Sequence, residues 1–178
     1  ISAQPQNGGI RVAGSNVTFS VSALGQAPLS YQWRFNRTNL LNGGRITGAT
    51  TANLSLSALT TADSGSYDVV VTTVYAAVTS QVATLSVFDP PGISVPPQPA
   101  AVIVGSNAVF SVTATGSAPL GYRWRKDGVA LSNGGRISGA TSNRLTIASA
   151  VTNDEGGYSV SMSNIVGALT RPAAALRV

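Results

Sequence analysis

Two glycine-rich segments, each with one arginine, are the first candidates for chemistry in this 178-residue chain. The residues from Asn42 to Thr50 read NGGRITGAT, and those from Asn133 to Thr141 read NGGRISGAT. A glycine-rich loop with a cation can bind phosphate, but such a loop normally leads into a helix N-terminus. No helical apolar period follows either copy. We therefore favour a structural role, in which Asn-Gly-Gly supplies the positive φ values of a tight turn.

Catalytic and metal-binding chemistry has few residues to draw on. The chain has no His and no Cys, which excludes Ser-His and Cys-His nucleophile pairs and imidazole or thiolate metal sites. A calcium cage or a carboxylate pair would need clustered acids, and the six acids are scattered: Asp63, Asp68, Asp89, Asp127, Asp154 and Glu155. We expect no enzyme activity, no cofactor and no metal.

A net charge of +5 leaves partner binding open. Arg123 and Arg125 alternate with Trp124, so both should point outward, where they face Ser159 and Ser161 rather than an acid. This pair could contact an acidic polymer or an acidic neighbouring subunit. We favour a solvated surface instead, and keep the two arginines as possible partner-binding residues.

Aromatic residues and apolar runs argue against two other partner classes. Most of the aromatic residues occur at matched positions in the two halves of the chain, as core residues do. Few remain to stack on sugars or bases, so no nucleic-acid binding is predicted. No apolar run approaches the roughly 20 residues of a membrane helix, so no membrane insertion is predicted.

The chain is one unit written twice. At a shift of 91 residues Gly14 meets Gly105, and half of the positions from Gly14 to Val71 are identical to their counterparts. A Pro-rich stretch, FDPPGISVPPQP, separates the copies. We predict two domains, residues 1–89 and 90–178, joined by a short and semi-rigid Pro-rich linker.

Within each copy, short runs of alternating apolar and polar residues predict β-strands. The segment NVTFSVSA places Val17, Phe19 and Val21 on one face, and Gly, Pro, Asn and Ser clusters separate such runs. Many short strands with one polar face predict an all-β fold of antiparallel β-sandwiches, one per domain.

These motifs resemble the immunoglobulin-like family, closest to its I-set type. The resemblance rests on four motifs, each present once per domain: Gly-Ser-x-Val-x-Phe (with Ala108 in place of the valine in the second domain), a strand C tryptophan, Leu-x-Leu or Leu-x-Ile, and Asp-x-Gly-x-Tyr. It implies buried tryptophans at Trp33 and Trp124. It also implies a tyrosine corner at Tyr67 and Tyr158, whose hydroxyl bonds back to nearby backbone. Finally, it implies an arginine–aspartate pair in each domain, Arg45 with Asp63 and Arg136 with Asp154.

The family's disulfide is the main departure. Its four cysteines would fall at Val21, Val69, Val112 and Val160. Losing such a bridge typically costs ~2–5 kcal/mol, and packed valine methyl groups recover part of that. Cysteine-free repeats of this kind resemble those of large bacterial secreted or surface proteins.

The resemblance implies an extracellular or cell-surface protein without an enzymatic role. Our first hypothesis is a structural repeat module: a stalk, a spacer or a fibre-forming unit whose partners are neighbouring copies or domains of the same protein. The alternative is an adhesion module that recognises a surface glycan, an acidic polymer or a protein. A further alternative is an accessory region of a secreted enzyme. Fold alone does not decide among them.

Overall fold

Short β-strands make up most of the secondary structure in the computed structural model, which describes residues 1–178. The chain divides into two compact units, Ile1–Asp89 and Pro90–Val178. The division lies within the Pro-rich stretch. Each unit holds one short 3-10 helix, Thr61–Asp63 in unit 1 and Thr152–Asp154 in unit 2.

Unit 1 contains nine strands: β1 (Gly9–Val12), β2 (Val17–Ser20), β3 (Ser30–Phe35), β4 (Thr38–Asn39), β5 (Ile46–Thr47), β6 (Asn53–Leu56), β7 (Gly65–Thr72), β8 (Ala77–Thr79) and β9 (Ala83–Phe88). One sheet has the order β1-β9-β7-β3-β4, with β8 also paired to β7. The other sheet has the order β2-β6-β5. The two sheets enclose a single apolar core.

Unit 2 contains eleven strands: β10 (Gly92–Val95), β11 (Ala100–Ala101), β12 (Ala108–Ser111), β13 (Thr113–Thr115), β14 (Gly121–Lys126), β15 (Val129–Ala130), β16 (Ile137–Ser138), β17 (Arg144–Ile147), β18 (Gly156–Asn164), β19 (Gly167–Thr170) and β20 (Ala174–Arg177). Its sheets repeat those of unit 1, as β11-β20-β18-β14-β15 and β12-β17-β16, and β10 pairs with β13.

The predicted all-β fold with two immunoglobulin-like sandwiches is confirmed. One pairing in each unit differs from the expected antiparallel pattern, because β1 runs parallel to β9 and β11 runs parallel to β20. Strands β1 and β11 therefore lie against β9 and β20, which are the last strands of their units. Such a long-range pairing has no local sequence signal.

The core of each unit surrounds a fully buried tryptophan. Trp33 and Trp124 are both 0% exposed. Their indole N–H groups donate to the carbonyl oxygens of Thr51 and Ser142, each at 2.8 Å. A buried tryptophan needs such an acceptor, because an unpaired N–H inside an apolar core is costly.

The valines at the expected cysteine positions are all buried. Val21 and Val69 belong to the core cluster of unit 1, and Val112 and Val160 to that of unit 2. The chain contains no cysteine, so neither sandwich has a disulfide. Apolar packing between the sheets occupies the place of the bridge.

The matched aromatic residues are not all core residues. Phe19 and Tyr67 are buried and stack with ring centroids 4.7 Å apart, as Phe110 and Tyr158 do at 4.8 Å. The other matched tyrosines, Tyr31 and Tyr122, are only partly buried and pack against the edge of each core. The expectation that the aromatic residues at matched positions are core residues is therefore wrong for Tyr31 and Tyr122.

The buried valine pairs should carry measurable stability. We expect Val69→Ala to lower the free energy of unfolding by about 2 kcal/mol, because it removes methyl groups from a site without solvent exposure. Urea unfolding followed by tryptophan fluorescence would measure the change. Val74→Ala is the matched control, since Val74 is 73% exposed and should shift stability by under about 0.5 kcal/mol. Equal effects of the two substitutions would contradict tight packing at Val69.

Candidate functional site

A bidentate arginine–aspartate pair closes one end of unit 1. Arg45 lies directly before β5, and Asp63 ends the 3-10 helix. The Arg45 Nη1 donates to Asp63 Oδ2 at 2.9 Å, and Nη2 donates to Oδ1 at 3.1 Å. Nη1 also donates to the carbonyl oxygens of Ser57 and Ala58, at 3.2 and 3.1 Å. One guanidinium thus ties three segments of chain together.

Unit 2 contains the same arrangement at the equivalent residues. The Arg136 Nη1 donates to Asp154 Oδ2 at 2.5 Å, and Nη2 donates to Oδ1 at 3.1 Å. Nη1 also donates to the carbonyl oxygens of Ala148 and Ser149, at 3.5 and 3.1 Å. We call each of these arrangements an Arg–Asp clamp.

Each aspartate of the clamp has further partners. Asp63 Oδ2 accepts the backbone N–H of Thr60 at 2.7 Å and its hydroxyl at 3.0 Å. The Asp63 carbonyl oxygen accepts the Tyr67 hydroxyl at 2.8 Å, and the Asp154 carbonyl oxygen accepts the Tyr158 hydroxyl at 2.7 Å. The tyrosine corner and the clamp therefore share one residue in each unit.

The clamps perturb the titration of their members. Burial alone would raise the pKa of Asp63, but hydrogen bonds from Arg45 and Thr60 outweigh it and lower that pKa below its ordinary value. The hydrogen bond from Arg136 lowers the pKa of Asp154. The pKa of both arginines is raised, first by the hydrogen bond to the aspartate. Burial raises the pKa of Tyr158 to about 12.

The glycine-rich loop forms a turn that leads into strand β5. Gly43 and Gly44 have φ values of 152° and 53°, which favour glycine. The Gly43 N–H donates to the Ile46 carbonyl at 2.9 Å, and the Ile46 N–H donates to the Gly43 carbonyl at 3.0 Å. The Asn42 side chain accepts the Ala49 N–H at 2.8 Å. A strand follows the loop where a phosphate cradle would require a helix N-terminus.

The outer faces of the two larger sheets differ in charge. In unit 1, Arg34 Nε donates to Asp68 Oδ1 at 2.5 Å, and Asp68 is only 7% exposed. The alternation of β7 places Asp68 on the outer face, where the ion pair with Arg34 on the neighbouring strand β3 covers it. Burial on the outer face is thus a consequence of ion pairing.

The counterpart face of unit 2 has no such ion pair. Arg125 stands opposite Ser159, and Arg123 stands opposite Ser161. Neither arginine forms a salt bridge. Arg125 Nη1 donates to the Gly128 carbonyl at 3.2 Å, and Arg123 is exposed. We call Arg123 and Arg125 the unit 2 arginine pair.

Three groups that could indicate a ligand, a metal or a membrane are absent from the structure. No group of three or more acidic residues in the structure could hold a metal ion. None of its helices has the length and apolar character needed to cross a membrane. Every buried side-chain nitrogen and oxygen atom has a hydrogen-bond partner, so no buried polar side chain is left unsatisfied.

Sequence reasoning missed one surface feature, an apolar groove in unit 1. It has a volume of about 250 Å³ and is lined by residues that include Leu24, Gly25, Tyr75 and Ala76. Leu24 and Tyr75 are 84% and 78% exposed. The available signal was the unmatched Tyr75, which has Val166 as its counterpart in unit 2.

Removing one side of a clamp should destabilise its unit. We expect Arg45→Ala to lower the free energy of unfolding by about 1 kcal/mol, because Asp63 and two carbonyl groups lose their donor. The value is modest because the Arg45 side chain is 40% exposed. Thermal and urea unfolding would measure the loss. Arg11→Ala removes the same charge from an exposed position outside any salt bridge and is the control. A structural clamp predicts that any binding activity survives Arg45→Ala.

The clamps should also make stability depend on acid. The pKa of Asp63 and of Asp154 is lower in the folded protein than in the unfolded chain, where it is about 3.9. The ionised carboxylates therefore stabilise the fold above about pH 3.9, and this stabilisation is lost as the pH falls through the folded-state pKa. We expect the free energy of unfolding to fall between about pH 5 and pH 2. The fall should be shallower in Asp63→Asn, which cannot titrate. Parallel curves for the two proteins would contradict the assignment.

Comparison with known proteins gives the same architecture. The family model described as "Immunoglobulin domain" matches residues 1–73 and 90–164. Among curated proteins, the peroxidasin homolog of Homo sapiens is 32% identical over 165 residues, which is 92% of this chain and 11% of that protein. The chain thus spans only about a tenth of its relative.

Solved structures with similar folds come from multi-domain proteins. The I-band fragment I67–I69 from titin has a TM-score of 0.72 at 21% identity, over 98% of this chain and 63% of that one. Dscam1 isoform 6.9, in its N-terminal four domains, has a TM-score of 0.74 at 22% identity, over 97% and 43%. The insect immune protein hemolin has a TM-score of 0.73 at 19% identity, over 99% and 46%. Likeness at this level of identity concerns the fold alone. With both of its units matched by the family model, this chain belongs to the immunoglobulin domain family.

Proposed function

We propose that the chain is a non-enzymatic structural repeat module, a stalk, spacer or fibre-forming unit, of an extracellular or cell-surface protein. One observation carries the proposal: the side chains of the clamps and of the tyrosine corners, which recur at matched positions, form their hydrogen bonds inside their own unit. The clamps at Arg45 and Arg136 and the tyrosine hydroxyls at Tyr67 and Tyr158 all bond within the fold. Side chains used in this way stabilise the sandwich and leave little for a ligand.

Family membership supports the same proposal. Immunoglobulin domains in tandem are typical of structural or adhesive parts of extracellular proteins. A bacterial source and a surface location stay predictions from the sequence. The proposed mechanism is mechanical: each unit is a packed sandwich whose loops the clamps fix, and a series of such units holds other parts of a protein at a distance.

Edge strands would provide the contacts of a fibre. Strands β1 and β4 end the larger sheet of unit 1, and β11 and β15 end that of unit 2. An edge strand presents unpaired backbone groups that can pair with a strand from another copy. Ile10 and Val12, on β1, are 50% and 39% exposed and would add apolar contact to such a pairing.

The second candidate function is adhesion, and the unit 2 arginine pair favours it. Arg123 and Arg125 lie on one face without acidic partners, as a site for an acidic glycan or peptide would require. The hemolin structure carries a stated implication for homophilic adhesion, which makes a second copy a further possible partner. An accessory role in a secreted enzyme is the third candidate, since the human peroxidasin homolog extends far beyond the matched region.

Binding measurements separate the first two candidates. We would test the full chain against heparin and an array of acidic glycans at physiological salt, and compare it with Arg123→Ser/Arg125→Ser. The control, Arg11→Ser/Arg144→Ser, removes the same charge at other exposed positions. A structural module predicts no saturable binding by any of the three proteins. Saturable binding by the full chain and by the control, but not by Arg123→Ser/Arg125→Ser, would overturn the proposal in favour of adhesion.

Light scattering and negative-stain imaging over a wide concentration range test the form of the module. Ordered fibres that grow with concentration would assign a fibre-forming role. A particle of constant mass would assign a spacer or stalk. A specific small oligomer with binding activity would contradict both.

A further inference from the structure

A cleft in unit 2 is lined largely by proline. It has a volume of about 460 Å³ and lies between the segment that follows β10 and the connection from β19 to β20. Its lining residues are Ile93, Pro96, Pro97, Arg171, Pro172 and Ala173. We call this feature the proline cleft. Its volume is within the range of ~300–1,000 Å³ that is typical of small-molecule sites.

The two segments that form the proline cleft have counterparts in unit 1. Val95 pairs with Thr113 in unit 2, and the equivalent bridge in unit 1 joins Ala3 to Ser22. The residue after this bridge is Gln4 in unit 1 and the first cleft proline in unit 2. The connection from β8 to β9 corresponds to that from β19 to β20 at the shift of 91 residues. The same place can therefore be compared in the two units.

Hydrogen bonds join these segments in unit 1. The Gln81 backbone N–H donates to the Gln4 Oε1 at 2.8 Å. Ser80, one residue earlier, is buried. Its hydroxyl donates to the Gln81 carbonyl oxygen at 2.8 Å and accepts the Val69 N–H at 3.0 Å. The two segments are thus held in direct contact by polar groups of their own unit.

Unit 2 cannot form these bonds. Pro96 and Pro172 stand in place of the two glutamines, so the side-chain acceptor and the backbone donor are both missing. Arg171 stands in place of Ser80, is only partly buried and forms no salt bridge. Ala173 stands in place of a larger valine. All four differences fall on one cleft, where together they remove a polar closure and add an unpaired cation.

The lining of the proline cleft limits the chemistry of its ligand. Its three prolines have no backbone N–H to donate, and Ile93 and Ala173 add apolar side chains. Arg171 is the one charged residue of the lining, and a guanidinium can bind a carboxylate through two parallel hydrogen bonds. A hydrophilic anion such as phosphate would leave the apolar walls without a partner. The ligand should therefore have one carboxylate on an otherwise apolar body.

Proline walls favour a flat aromatic body. The C–H groups of a proline ring are weakly positive and pack on the negative face of an aromatic ring. Grooves that bind proline-rich segments use the same contact with the roles reversed. Proline also restricts the backbone, so the cleft loses little conformational freedom when a ligand binds.

We propose that the proline cleft of unit 2 binds a small aromatic carboxylate, whose ring packs on the prolines and whose carboxylate pairs with Arg171. This inference goes beyond the proposed function, because a spacer and an adhesive module could both carry such a site. The unit 2 arginine pair does not line the proline cleft and takes no part in it.

Titration of the isotope-labelled full chain with 2-naphthoate, followed by amide NMR spectra, tests the proposal. We expect saturable shifts in the non-proline residues of 93–98 and 171–173, with a Kd on the order of 1 mM. The matched residues 1–6 and 80–82 of unit 1 should not shift, because hydrogen bonds join their segments.

Two control ligands and two variants separate the contributions of charge and ring. 2-Naphthamide lacks the charge and cyclohexanecarboxylate lacks the aromatic ring, and each should bind about tenfold more weakly. Arg171→Gln should weaken 2-naphthoate binding about tenfold and leave 2-naphthamide binding unchanged. Arg144→Gln removes the same charge from an exposed position of unit 2 outside the cleft and should change neither.

A further variant tests the cleft independently of its charge. Pro96→Gln/Pro172→Gln restores the two residue types that bond to each other in unit 1. It should therefore close the cleft and abolish the shifts, while the signals of the unit 2 core residues stay in place.

Four results would overturn the proposal. The first three are the absence of a saturable shift, equal affinity for 2-naphthoate and 2-naphthamide, and unchanged 2-naphthoate binding in Arg171→Gln. The fourth concerns the source of the carboxylate. A peptide that ends in phenylalanine and binds the same residues over about ten times more tightly than 2-naphthoate would assign the cleft to the C-terminus of a protein partner.

Discussion

The closure of two sheets around a buried tryptophan is the contact on which the rest of each unit depends. Trp33 and Trp124 are inaccessible to solvent, and the indole N–H of each donates to a backbone carbonyl. A stacked phenylalanine–tyrosine pair and two valines complete the contact between the sheets. Because apolar packing replaces the family's disulfide, the stability of the units does not depend on oxidation.

The Arg–Asp clamps and the tyrosine corners attach the loops to the packed core. Each clamp joins the start of one strand, the end of another and a 3-10 helix through a single guanidinium. The adjoining tyrosine is anchored in the core and bonds to the backbone of the same aspartate. A loop segment held by both the core and an ion pair has little freedom left, which is suited to bearing load and poorly suited to adapting to a ligand.

Much of the fold could be predicted from the sequence, because its signals are local. Alternation in Val17, Phe19 and Val21 identified the buried face, and the structure has all three buried. The parallel pairing of β1 with β9 could not be predicted, since it joins segments far apart in the chain without a turn motif. The burial of Asp68 depends on the cover from Arg34, and the groove of unit 1 depends on how three separate segments meet. Such features are properties of the assembled fold rather than of any one segment.

The clamps, the tyrosine corners and the tryptophan contacts all join residues of the same unit. Duplication or deletion of one complete unit would therefore break none of them. The number of units can then change during evolution without new compensating mutations in the core. In a spacer, selection would act on the length that the units span. That length can change in steps of one domain.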